Sequence, residues 1–222
     1  MDGKTEGKIF APGYGEFYTA DGSDVEALAL AVPTDSLSGD LPAELDTLSD
    51  GALDIFEAAQ SKDWNAASAT LEKMSNAWET HRKGEVPKKI EPRMSDALAA
   101  LAEAVDARNT EQARQAAIDV GRWSLDLRLQ YRPQTEIDLA RMDLWAAQLT
   151  VDAAAGDAGA VNGDVFTLGY IRDRILNTLD GADVIHINTE FLKLQVAAAD
   201  GDLAAASDTA EHLRDTLRQI QE

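Results

Sequence analysis

A helical hairpin recurs four times along this chain at nearly constant spacing, and that recurrence restricts the possible folds more than any other feature. Asp63, Asn109, Asp157 and Asp202 each follow a helix-breaking step and open a new apolar-periodic run, at separations of 46, 48 and 45 residues. With these four taken as position zero, six offsets (−15, −11, −8, −4, +4 and +11) are apolar in every copy, 24 residues in all. Offset −15 reads Leu48, Met94, Met142, Ile187, and offset +11 reads Met74, Val120, Leu168, Leu213. Steps of three, four and seven put such residues on one stripe of an α-helix, a face that must find cover.

The residues between the stripes agree. Asp or Asn at position zero suits an N-cap, because its side-chain oxygen accepts from the free amides of the first turn. Gly156 and Gly201, one residue earlier, suit the left-handed residue that ends a helix. The pattern predicts eight helices, over 44–60, 64–83, 92–107, 110–132, 135–155, 158–179, 184–199 and 203–220. A hairpin buries only one of its sides, so the copies must pack on one another. Long helices with Ala-rich interior columns favour two tandem antiparallel four-helix bundles, residues 44–133 and 134–222, over a continuous α-hairpin solenoid. The Pro-broken step Tyr131-Arg132-Pro133-Gln134 marks the boundary between them.

Residues 1–43 stand outside the repeat and form an N-terminal arm rich in Gly, Pro and aromatics. Within it, Glu16–Ala20 and Val25–Val32 flank an Asp21-Gly22 turn and suggest a β-hairpin, although the Ala/Leu-rich half also suits a short helix.

Composition excludes several function classes. Forty acidic residues against twenty basic ones leave a net charge of −20. That opposes binding to a nucleic-acid backbone, which needs Lys and Arg to displace counterions, and to an anionic membrane surface. It suits a cationic ligand or partner, or plain solubility. The chain has no cysteine, which removes disulfides, thiolate metal sites and Cys nucleophiles. No apolar run approaches the roughly 20 residues needed to span a bilayer. Together with the polar start Met1-Asp2-Gly3-Lys4, these features suggest an extracytoplasmic protein whose export signal has been removed.

No P-loop, GxGxxG, HExxH or GxSxG occurs, and no Glu-x-x-His pair of the di-iron bundle type. His186 with Glu190, and Asp208 with His212, have the spacing of paired ligands but fall in solvent columns. His81 falls near a helix end and reads as a partly buried residue there, although with Met74 or Met94 it has the donor types of a haem clamp.

Two anomalies in the columns carry the candidate sites. Asp152 and Asp164 replace small residues (Ala58, Ala104, Ala197 and Thr70, Ala116, Thr209 in the other copies) on the facing helices of the third hairpin. Two carboxylates placed there repel, raise one pKa, or hold a single divalent cation. Arg172 occupies a column that holds Trp78 and Leu217 elsewhere, so it needs an acid or an anionic ligand. Around the joint between copies two and three lies a mixed cluster that includes Arg128, Tyr131, Arg141 and Trp145. It reads as an ion-pair seam locking the halves together, or as a cleft where Arg forks take a carboxylate or phosphate and aromatic faces stack on the ligand. The sequence therefore suggests a non-enzymatic helical binding or scaffold protein with a protein partner. The alternative is a small-ligand or metal-cation binding protein, with no cofactor implied beyond a possible divalent cation.

Overall fold

The computed structural model describes residues 8–11, 15–19 and 39–221. Among the described residues the main body is all-helical, with eight helices packed as helical bundles. They are α1 (Ala43–Ser61), α2 (Trp64–His81), α3 (Glu91–Asp106), α4 (Thr110–Arg128), α5 (Gln134–Ala154), α6 (Ala158–Ile175), α7 (Gly181–Ala199) and α8 (Leu203–Gln221).

The four hairpin turns are built alike. Each position-zero side chain accepts from the backbone amide three residues on: Asp63 from Ala66 at 3.1 Å, Asn109 from Gln112 at 3.1 Å, Asp157 from Ala160 at 2.9 Å, Asp202 from Ala205 at 3.0 Å. Each position-zero amide in turn donates back to the carbonyl five residues earlier, at 2.8–3.0 Å. Such a turn requires a left-handed residue just before the cap. Gly156 and Gly201 supply it with φ of 77° and 70°, while Lys62 and Arg108 adopt 61° and 51° without glycine's freedom.

Of the 24 column residues, 23 are buried and Ala153 is half-buried. They form two main cores. One gathers α1–α4, joined by Ala147 and Val151 of α5; the other gathers α5–α8. Within the first set α1 packs most closely on α4, and within the second α5 packs most closely on α8, while α2–α3 and α6–α7 meet only lightly. The inner pairs then face each other. Leu125 of α4, Leu129 just beyond its end, Ile137 and Leu144 of α5 and Leu53 of α1 share a small core between the sets. The order is thus four layers of helix pairs: α2–α3, α1–α4, α5–α8, α6–α7. Gly121 permits the α4–α5 contact, since a Cβ there would lie 3.0 Å from both Leu144 methyls.

The observed helices differ from the predicted spans by one to four residues. Helix α4 stops at Arg128, ahead of the Tyr131–Pro133 step, and α7 starts earlier because Asp180 caps it by accepting from Ala182 and Asp183. The arm holds a correction. A hairpin is present, but Gly15–Thr19 (β2) pairs antiparallel with Lys8–Ala11 (β1), in register Lys8↔Thr19 and Ile9↔Tyr18 and with a bulge after Ile9. The expected partner strand, 25–32, falls outside the described residues.

Candidate functional site

The inner interface holds most of the charge the sequence placed at the joint. Asp143 of α5 is buried and accepts from Arg214 Nε of α8 at 2.8 Å. Arg214 itself is 1% exposed, and its guanidinium carbon lies 5.0 Å from the ring centre of Phe56 in α1. Arg114 of α4 lies 4.3 Å from the same ring and donates to Thr150 at 2.7 Å. Two arginines therefore lie over one phenylalanine, each held by a partner from α5. Further along, Arg141 bonds Asp126 at 2.6 Å and Asp138 at 3.2 Å, and Arg174 reaches Asp138 at 2.8 Å. Burial pushes the Asp126 carboxyl above its ordinary range, and the Arg141 charge partly opposes this.

The other joint residues are engaged as well. Arg128 donates to Ser49 at 3.0 Å and lies 3.5 Å from Asp46 and 3.7 Å from Glu136. Tyr131 packs on the first core, and Trp145 packs on the second while carrying the Arg122 guanidinium 4.6 Å above its ring. Every Arg fork of the predicted cluster thus meets an acid, a hydroxyl or an amide of the chain itself. A cleft of about 540 Å³ does open at this joint, between Asp50, Leu53, Arg128, Glu136, Ile137 and Ile220.

Arg172 does not belong to that cluster. It sits on α6, pairs with its exposed neighbour Asp173 at 2.7 Å and lies over Phe191 of α7 at 4.3 Å. Its column is a core column on the other helices; here the guanidinium caps the aromatic core residue from outside instead of entering it.

The acidic pair is brought together. Asp164 is 4% exposed and hydrogen-bonds to Asp152 across the α5–α6 hairpin. Two carboxylates have no proton to donate, so this contact needs one of them protonated. Burial, the Asp152 hydrogen bond and the Asp152 charge push the Asp164 carboxyl up to about 8, against a weaker lowering by Arg122. Gln148 holds the pair in place, donating to Asp152 at 3.1 Å and exchanging bonds with Gln115 at 2.9 and 3.0 Å. Asp164 Oδ2 is buried and has no hydrogen-bond partner among the described residues. No group of three or more His, Asp and Glu able to hold a metal occurs among the described residues.

His186 and His212 are exposed. His81 is half-buried, its ring centre 6.2 Å from that of Trp78, and burial pushes its pKa down. Met74 and Met94 are fully buried in the first core.

The feature that column reading missed is on the outermost layer. Five large apolar side chains are exposed among the described residues: Phe166 (80%), Tyr170 (62%), Ile185 (65%), Leu192 (58%) and Val196 (61%). All five lie on α6 and α7. Phe166 and Tyr170 are one turn apart on α6, and Ile185, Leu192 and Val196 follow at steps of seven and four on α7. Between the two helices runs a cleft of about 470 Å³, floored by Val165, Gly169, Phe191 and Ala198 and walled by Phe166 and Tyr170. Gly169 keeps it deep, because a Cβ there would come within 2.9 Å of Phe191 Cζ.

The first bundle supplies an internal control. At the matching offsets α2 carries Glu72 and Asn76, and α3 carries Pro92, Ala99 and Glu103, all of them exposed. Polar or small residues thus hold the outer layer at one end of the stack, and large apolar ones at the other. Compared with known protein families, curated proteins and solved structures, the chain matches none.

Proposed function

We propose that this chain is a non-catalytic helical binding protein, and that it docks a partner protein on the outer face of α6 and α7. The single observation behind this reading is the concentration of all five exposed large apolar residues on one helix pair. Scattered surface apolar residues need no explanation, whereas a contiguous patch around a cleft is the usual mark of an interaction surface. The buried charges elsewhere meet partners within the chain, which suits them to locking layers together. No described helix is long and apolar enough to cross a membrane, so the patch is not part of a spanning segment.

A selection from a random peptide library on the intact protein tests the proposal. Selected binders should lose affinity for a Phe166→Ser/Leu192→Ser double variant and keep it for a Glu72→Ser/Glu103→Ser control. Binders indifferent to the first variant would remove the patch as the binding site.

A second reading has one observation in its favour, the donor-less buried oxygen of Asp164. A divalent cation in place of the shared proton would bridge Asp152 and Asp164. Calorimetric titration with calcium and manganese decides it: heat that vanishes in Asp164→Asn supports a site, and no heat from the unaltered protein discards it.

A further inference from the structure

The partner's chemistry can be read from what surrounds the patch. Between Asp157 and Asp202, the segment that carries α6 and α7, there are seven acidic residues besides the buried Asp164, against three basic ones. The three bases are already engaged: Arg172 with Asp173 at 2.7 Å, Arg174 with Asp138 at 2.8 Å, and Lys193 with Glu190 at 2.7 Å. Asp183 and Asp200 form no ion pair among the described residues. Asp157, Asp180, Asp183, Asp200 and Asp202 stand at the ends of α6 and α7, and the cations nearest the cleft, Arg172 and Arg174, are paired, so the face disfavours anything anionic, including a second copy of this chain with its charge of −20.

The shape narrows the partner further. Two neighbouring helices that meet only lightly leave a groove between their ridges, and a third helix lies naturally along such a groove. From Ile185 to Val196 the strip runs about 16 Å, roughly three turns of a partner helix. Phe166 and Tyr170 wall the cleft on the α6 side and Phe191, Gln195 and Ala198 line it on the α7 side, so it would take apolar side chains spaced three or four apart. Resting on the reading of α6–α7 as a docking face, we propose that this groove seats a basic amphipathic helix of a partner protein. Its apolar stripe lies in the cleft and its Lys and Arg residues reach the acids at the ends of α6 and α7.

The test uses two designed helical peptides of about 15 residues with one shared Leu/Ala stripe. One carries Lys on its polar face, the other Glu. Fluorescence anisotropy against the full chain should show the Lys peptide binding, weakening several-fold as salt is raised, and the Glu peptide not binding. Phe166→Ser/Leu192→Ser should weaken the Lys peptide at least about tenfold, the scale of losing central apolar anchors. Equal binding of both peptides overturns the charge assignment and leaves the docking face standing. Lys-peptide binding that ignores the double variant overturns the groove as its seat. If neither peptide binds but sedimentation shows a dimer that Phe166→Ser disperses, the occupant is a second copy. If neither binds and the chain is monomeric, the basic helix is refuted, and the library selection then decides whether the face docks anything at all.

Discussion

Replacing Asp164 by Asn should make the protein more stable, by an amount that grows with pH. Unfolded, this carboxyl ionises near 3.8; folded, burial and Asp152 push it up to about 8. Between those values the native state binds more protons than the unfolded chain, so stability falls as pH rises. The slope from this one group is about 1.4 kcal/mol per pH unit. Across the whole window it would reach about 6 kcal/mol if the site stayed rigid. Water entry and movement of Gln148 toward the new charge will relieve part of this, which leaves about 2–3 kcal/mol as the expected loss above pH 8. Asparagine has the shape of the protonated acid, donates to Asp152 as it does, and never ionises.

Urea unfolding of both proteins at about pH 3.5, 6 and 8.5 samples the window. The two should be nearly equal at the acid end, with the variant progressively ahead toward the alkaline end. Comparing variant with parent cancels the pH response of the other carboxyls. A gap that stays constant over this range, or that widens toward acid, would refute the shared proton.

Arg214→Met should cost about 3–5 kcal/mol, because Asp143 is then a buried charge without its partner; adding Asp143→Leu should recover most of the loss in denaturant titration. Lys62→Gly and Arg108→Gly should each raise stability by about 0.5–1 kcal/mol, since both residues hold a left-handed backbone that glycine adopts freely. Gly51→Ala should lower the melting temperature even though alanine favours helix by about 1 kcal/mol. The new Cβ would lie 2.6 Å from Met74 Cγ in a fully buried site, and overpacking of that kind costs about 1–3 kcal/mol. Asp157→Ala should remove about 1 kcal/mol by freeing the Ala160 amide, again measured by chemical unfolding.

The turns and cores were legible because each is set by local chemistry that repeats. An Asx cap, a left-handed residue and apolar steps of three and four leave the same trace in every copy. The Asp152–Asp164 contact was legible for a related reason: both acids break columns of small residues on facing helices, and depth within a hairpin is fixed by distance from its turn. Arg214 breaks its column in the same way, standing where Ser75, Gly121 and Gly169 occur, and that signal would have found the buried pair with Asp143. Arg172 misled because an arginine in a core column can lift its head over a ring at the rim. The α6–α7 patch was hidden by a different cause. A large apolar residue on an outward column looks in sequence like more core, and only the layer order shows that nothing covers it.

The four-layer order also divides labour within the molecule. Substitutions in α1, α4, α5 or α8 are felt on two sides, by the partner helices of their own core and by the facing bundle. The outer pairs answer to one side only, so their outward positions can change identity without disturbing the stack. Transplanting Phe, Tyr, Leu and Val onto Glu72, Asn76, Ala99 and Glu103 would therefore give the protein a second apolar edge at its opposite end. On the reading of α6–α7 as a docking face, such a variant would bind at two ends and bridge two copies of the partner proposed above.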